Sequence, residues 1–450
     1  MSIKTYRASD YVPLTSDVRL GGGDDVTEGL QAILDQAKTE GGVHLVMDGA
    51  ARVSGLRVYS NTTVECLTRD CGFFQTAGSD CALVTNAGWD YYDRKTRNVR
   101  LLGGTYNQDC LRQRHDRPSS GAEEERIFGE TRYVFALEFY GIEHLEIRDL
   151  TVRNFRTFAV TVGGFQNVLI ENVWLDLPDR MQAQNQDGFH FWGPGRFLTV
   201  RNVGGRVGDD FMNIGPDEMD RRSSISDVLV DGVFLDDADQ AIRLLSRGTG
   251  RLDRVTLRNI SGIYRSFGFY INCWFPGETF GDFGNIFIEN VDLRQTAPNY
   301  DYRAPMLFSV GGNVESLTVK NLRHHKPSDS RALFELGLPS YDLRYPYDPG
   351  NMPRMENVEI EGLTVFEEGG AAAGAEYIQI FLPMERLSLK NVTVIRKDLP
   401  ARSGHLLSVR EDGGISLLVL NDVYASGFRT LIDGDERIGE ILSQNVTVRP

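Results

Sequence analysis

Short apolar runs ending in Asn, Asp or Gly recur along the chain. They read LEIRD to Asp149, VLIEN to Asn172, LTVRN to Asn202, VLVDG to Gly232, VTLRN to Asn259, IFIEN to Asn290, LTVKN to Asn321, VEIEG to Gly362, LSLKN to Asn391 and LVLND to Asp422. Most successive runs lie 23 to 31 residues apart, and the longer gap from Asn321 to Gly362 holds LPSYDLRYPYDPGNMPR. Within a run apolar and polar residues alternate, which is the period of a strand with one buried face. A second short apolar piece follows each run, as in NVWL and NVTV. Strands repeating at this interval signal a solenoid or a propeller. A propeller blade needs four strands in about 40 to 45 residues and carries its own signatures, and none occurs. Two or three strands per repeat fit the coils of a parallel β-helix. The repeated Asn suits a sharp corner, because Asn tolerates left-handed backbone angles and its amide can bond to the Asn one coil away.

Solenoids need capped ends. DVTEGLQAILDQAKTE, residues 25–40, predicts an amphipathic helix with Leu30, Ile33, Leu34 and Ala37 on one face, an Asp25/Glu28 capping box, and a stop at Gly41-Gly42. The expected fold is therefore all-β: one right-handed parallel β-helix domain over 1–450, of about ten to twelve coils. Its N-terminal capping α-helix falls in the region 20–42, coils fill 43–450, and longer loops lie near 111–133 and 338–354.

Composition narrows the partners. The net charge of -15 argues against nucleic acid and anionic membranes, and it disfavours a polyanionic substrate. No apolar leader or membrane-length run is present, so a cytoplasmic location is expected for the chain as written, or secretion if a leader was trimmed. The five cysteines, Cys66, Cys71, Cys81, Cys110 and Cys273, lack paired metal-ligand spacing and read as buried free thiols. Neither a metal nor a cofactor is expected, and monomer and homo-oligomer stay equally open.

The chemistry concentrates in NQDGFHFWGPGRFLTVRNVGGRVGDDFMNIG, residues 185–215. Asp187 precedes Asp209 and Asp210 by 22 and 23 residues, close to one coil, so the three carboxylates should be neighbours. Both members of the pair reach solvent only if the backbone bends at Gly208. Close carboxylates repel, so one keeps its proton. A protonated acid beside ionised ones is what glycosidic cleavage needs. Calcium ligation and plain turn roles are the alternatives from the residues alone.

Asn185-Gln186-Asp187-Gly188, Gly208-Asp209-Asp210 and Ala241-Ile242-Arg243 together resemble the polygalacturonase-type glycoside hydrolases of the pectinase β-helix superfamily. The stretch from DVTEGLQ to SGLRVYSNTTVE resembles that superfamily too. The resemblance implies an inverting hydrolase in which Asp209 is the general acid while Asp187 and Asp210 hold and activate water. Two departures stand out. No histidine lies between Asp210 and Arg243, and leucines (Leu244, Leu245) follow Arg243 where the family has Arg-x-Lys. His190 is a candidate for the missing imidazole. Loss of the lysine points to a neutral or weakly charged glycan. Candidate substrate-binding residues are Asn185, His190, Arg243, Tyr270 and Trp274, the last two as sugar-stacking rings. Arg243 could equally pair with Asp236, Asp237 or Asp239. Trp192 should face the same way as His190. Asp217 and Glu218 are reserve carboxylates, and His115, His324 and His325 read as loop histidines. The competing functions are a polysaccharide lyase or intramolecular transglycosylase on the same scaffold, and a non-catalytic glycan-binding β-helix.

Overall fold

The structure, a computed structural model, describes residues 3–449 apart from 88–95, 114–133, 179–184, 220–221, 249, 274–279, 298–304, 328–331, 338–346, 349, 369–375 and 397–403. Trp274, His115, nearly all of the 111–133 loop and most of the 338–354 loop lie outside the described residues. Contacts within the chain cluster into two units, 1–213 and 214–450. Each is a stack of parallel coils, the parallel β-helix architecture that the repeat predicts.

In the first unit the strands Lys4–Arg7, Val43–Met47, Thr62–Cys66, Thr96–Leu102, Leu137–Arg148, Val160–Glu171 and Phe189–Arg206 pair in succession, all parallel. One inward row runs Leu45, Val64, Leu101, Ile147, Ile170, Val200, with every member at most 2% exposed. Burying each such side chain stabilises by about 1.5–3 kcal/mol. Shorter strands at Ala50–Val53, Gly72–Gln75, Thr105–Asn107, Thr151–Arg153 and Trp174–Asp176 build a second face.

The second unit repeats the scheme. Ile225–Leu245, Arg251–Asn272, Asp282–Gln295, Asn313–Pro327, Met355–Glu368, Pro383–Ile395, Gly414–Ser426 and Ile438–Arg449 stack in parallel. Its inward row is Val230, Leu257, Ile288, Val319, Ile360, Leu389, Leu420. A neighbouring face stacks Phe269 on Phe308 and Phe308 on Phe334, with ring centres 4.6 and 4.5 Å apart.

The corners are as the runs require. Asp149, Asn172, Asn202, Asn259, Asn290, Asn321, Asn391 and Asp422 all have φ between 49° and 59°, and Gly232 and Gly362 have 85° and 72°. Their amides form ladders. Asn172 donates to Asp149 at 2.8 Å and Asn202 to Asn172 at 3.3 Å. In the second unit Asn259 donates to Asp231 at 2.6 Å, Asn290 to Asn259 at 3.1 Å, and Asn321 to Asn290 at 3.1 Å.

The cap helix runs Thr27–Asp35, continues as a short helix at Ala37–Glu40, and ends at Gly41 with φ 78°. Leu30, Ile33, Leu34 and Ala37 are buried as the stripe predicts. The capping box is not built as expected, because Glu28 takes no part. Asp25 instead accepts the Thr27 N–H at 2.9 Å and the hydroxyls of Thr27, Ser54 and Thr76, tying the helix to two coils. Burial works to raise the Asp25 pKa, but these bonds outweigh it and hold the carboxyl at about 2. Four cysteines are buried; Cys81 is exposed, contrary to expectation.

Candidate active site

Asp187 sits in the turn leading into the strand Phe189–Arg206, and Asp210 opens the strand Asp210–Gly215. Backbone bonds between the two coils set their register. The Gly188 N–H donates to the Asp210 carbonyl at 2.8 Å, which puts Asp187 beside Asp210 on the next coil. The Gln186 carbonyl accepts from both Gly208 N–H, at 2.9 Å, and Asp209 N–H, at 3.3 Å. One acceptor serving two successive donors is the bend that regular alternation forbids. It lets the adjacent carboxylates Asp209 and Asp210 share one neighbourhood with Asp187. Gly188 has no room for a side chain. A Cβ there would lie 2.4 Å from the Phe211 carbonyl oxygen and 2.6 Å from Leu175 Cδ1.

The acids are buried rather than solvent-facing. Asp187, Asp209 and Asp210 are 3%, 4% and 1% exposed. Burial, and then the charge of Asp210, push Asp187 well above the usual carboxylate range. The hydrogen bond from His190 pulls the other way, and Asp209 adds to the rise. Asp187 Oδ2 lies 3.1 Å from His190 Nδ1. Asp209 Oδ2 accepts the Asn185 backbone N–H at 2.9 Å, so Asn185 contributes through its main chain, at φ 62°.

His190 reaches Asp187, as a replacement imidazole would, but it is 2% exposed. Its ring stacks on Phe158, 4.1 Å between centres and 13° between planes, and lies 5.0 Å from Trp192. His190 and Trp192 thus share a face, as alternation requires. Phe135, Phe158 and Tyr140 pack around Trp192. This aromatic wall buries His190, the hydrogen-bond partner of Asp187.

The remaining candidates belong to the second unit. Arg243 pairs in register with Tyr270, and its guanidinium lies 5.5 Å from that ring's centre. Tyr270 is not an exposed sugar platform, as expected from sequence. It is fully buried in a cluster with Leu245, Phe267, Cys273 and Met306, and it supports Arg243 from below. Asp237 and Asp239 are engaged by Arg265. The position where a lysine would stand is Leu245, 1% exposed. Asp217 serves as a backbone clamp, accepting the N–H groups of Arg247, Gly248 and Gly250 at 2.9 to 3.1 Å. Burial pushes its carboxyl up to about 6 against those bonds. His324 and His325 lie on a strand, not a loop, and His324 Nε2 is 2.7 Å from the buried Tyr264 hydroxyl.

Reasoning from sequence missed Thr161 and Asn213, polar side chains 0% and 1% exposed on the strands flanking His190. Their signal was a polar residue amid apolar ones, as in FMNIG. Among the described residues no group of His, Cys, Asp and Glu is arranged to hold a metal ion, and no helix is long and apolar enough to cross a membrane.

No protein-family model and no curated protein matches the sequence. Solved structures do match in fold. The Family 28 exopolygalacturonase of Yersinia enterocolitica aligns over 92% of this chain and 79% of its own, at 12% identity and TM-score 0.57. A double mutant of the tailspike protein of E. coli bacteriophage HK620, in complex with pentasaccharide, aligns over 95% and 77%, at 12% identity and TM-score 0.56. The hyperthermoactive exopolygalacturonase of Thermotoga maritima aligns over 96% and 93%, at 13% identity and TM-score 0.51. At such identities the likeness is one of fold.

Proposed function

We propose that this protein is an inverting glycoside hydrolase acting on a neutral or weakly charged oligo- or polysaccharide. The observation that carries the reading is the convergence of Asp187, Asp209 and Asp210 from adjacent coils, with Asp187 held well above the usual carboxylate range. In such a site one carboxyl protonates the leaving oxygen and another takes a proton from water attacking the opposite face of the ring. Asp209 is the donor in this reading, and the Asp187–Asp210 pair shares one proton and activates water through whichever member is ionised. The likeness in fold to exopolygalacturonases and to a tailspike in complex with a pentasaccharide supports a carbohydrate substrate. Leu245 after Arg243 and the net charge of -15 support a substrate other than polygalacturonate.

A second reading reverses two roles. The raised pKa of Asp187 favours it as the group that carries the proton at neutral pH, with Asp209 on the water side. Leaving-group chemistry separates the two. Removing the donor is largely masked on an aryl glycoside whose leaving group needs no proton, whereas removing the base is not.

The test begins with neutral and acidic glycans incubated with the protein and products followed by NMR. Hydrolysis of a neutral glycan with inverted anomeric configuration is expected, with little action on polygalacturonate. Asp209→Asn should lower turnover by about 10²–10⁴-fold on natural linkages and spare activated aryl glycosides. The opposite split between Asp187→Asn and Asp209→Asn selects the second reading. An unsaturated product would establish a lyase, and tight glycan binding without cleavage would establish a non-catalytic binder. Either result ends the hydrolase proposal.

A further inference from the structure

The strand face carrying His190 holds a polar row with unmet hydrogen-bonding capacity. Thr161 pairs with His190 in the register of the strands Val160–Glu171 and Phe189–Arg206. In that pairing the Val160 N–H donates to the Gly188 carbonyl while Val160 stands opposite Phe189. By the same rule, the Gly188 N–H donating to Asp210 sets Gly188 opposite Phe211. Carried two residues on, this register places His190 beside Asn213. Thr161, His190 and Asn213 therefore form one row across three successive coils, 0%, 2% and 1% exposed. The middle member is bonded to Asp187.

The outer members are anomalous. Thr161 Oγ1, Asn213 Oδ1 and Asn213 Nδ2 are buried and make no hydrogen bond among the described residues. Asp187 Oδ1 is in the same state. Buried polar atoms in folded proteins nearly always have partners, and leaving one unpaired forfeits its hydration outright. A carboxamide with both ends unbonded, one residue along the row from an acid-bonded imidazole, is a strained choice for a core. It is a natural choice for a site whose partner arrives with the ligand.

We propose that Asn213 and Thr161 read hydroxyl groups of the sugar ring bound at the three aspartates. The inference rests on the glycan reading above and deepens it. Asn213 offers one donor end, Nδ2, and one acceptor end, Oδ1, which together match two vicinal hydroxyls. Thr161 Oγ1 adds a third contact on the far side of His190. The row contains no permanent cation, so it selects a neutral polyhydroxylated ring. A site built to bond hydroxyls discriminates strongly against rings that lack them, because its own polar groups are then left unpaired.

The test uses the full chain and two shape-conserving variants, Asn213→Leu and Thr161→Val. Thermal midpoints are measured without ligand, and binding is measured by calorimetry with cello-, malto-, xylo- and mannotetraose, and with tetragalacturonate as the charged control. Asn213→Leu should match or exceed the wild-type midpoint and lose at least tenfold in affinity for the best neutral tetraose. Thr161→Val should keep its midpoint and lose several-fold. Unchanged affinity in Asn213→Leu overturns the proposal, whatever its midpoint. If Asn213→Leu is destabilised, Thr161→Val decides: lost affinity supports the row, and unchanged affinity overturns it. Preference for tetragalacturonate overturns it, and binding of none of the five overturns both this inference and the glycan reading. Binding that depends on Asn213 yet gives no cleavage supports the row and ends only the hydrolase proposal.

Discussion

Gly188 is the residue on which the spacing of the acids depends, and Gly188→Ala measures that dependence. An added Cβ would meet the Phe211 carbonyl oxygen at 2.4 Å and Leu175 Cδ1 at 2.6 Å. The leucine can turn aside; the carbonyl belongs to the next coil and cannot. Restoring an ordinary contact requires that coil to move by about 1 Å, and overpacking of this kind costs about 1–3 kcal/mol. The same displacement separates Asp187 from Asp210, because the Gly188 N–H to Asp210 carbonyl bond, 2.8 Å long, is what joins them. A misplacement of about 1 Å in a catalytic constellation can cost about 10²-fold in rate. Gly414→Ala is the control, since its Cβ would meet only the Arg437 carbonyl at 3.6 Å, an ordinary contact. Urea unfolding followed by circular dichroism reads the stability, and initial rates on the neutral glycan found by screening read the chemistry. Gly188→Ala should lose about 1–3 kcal/mol and most of its turnover, and Gly414→Ala should lose neither. A Gly188→Ala protein with wild-type stability and rate would show that this contact does not set the spacing of the acids.

Three further predictions concern the scaffold. Asp25→Ala should lower stability by about 1 kcal/mol, since the shift from 3.8 to about 2 is discounted for an exposed carboxylate. Its depressed pKa means the wild type loses this contribution as pH falls from about 4 toward 2, so the two unfolding curves should converge in acid. Asp217 has the opposite sign. Its folded pKa, up at about 6, makes wild-type stability fall as pH rises from about 4 to 6, by up to about 3 kcal/mol, and Asp217→Asn should remove that slope in urea titrations across this range. Asn290, at φ 56° with ladder bonds on both sides, should tolerate Gly better than Ala by about 1 kcal/mol in thermal unfolding; equal losses would show that the left-handed angle is not what the corner demands.

Legibility in the sequence followed the physics of each position. The corners were readable because a left-handed angle admits few residues, and Asn, Asp and Gly announce it at Asn172, Gly232 or Asp422. The same corner occurs at Gly103, φ 72°, but in the run VRLLG that ends there Leu102 breaks the alternation, so the pattern does not announce it. A second left-handed column lies within the strands, at Asn98, His144, Asn167 and Phe197 in the first unit. Asn and His tolerate that angle, but Phe197 does not announce it, because there stacking imposes the angle rather than the residue. The spacing of one coil was enough to bring Asp187 to Asp210. Burial was not readable. Alternation places His190 and Trp192 on the outer face of their strand, where solvent is the default. The aromatic packing from Phe135 and Phe158 that covers them comes from turns distant in sequence.

That covering bears on the substrate. In water two like charges about 4 Å apart cost about 1 kcal/mol, and at the effective dielectric of a partly dehydrated site they cost about 4 kcal/mol. Burial already holds Asp187 well above the usual carboxylate range beside Asp210. A ring carrying its own carboxylate would add a further negative charge to the same neighbourhood. By that figure it would lose about 10³-fold in affinity unless a cation met it. The row flanking Asp187 answers with a hydroxyl and a carboxamide, Thr161 and Asn213, which offer a charged group little and a hydroxyl much. Under the function proposed above, the burial that raises the acid and the neutral row beside it favour the same ligand, a sugar ring with hydroxyl groups and no charge.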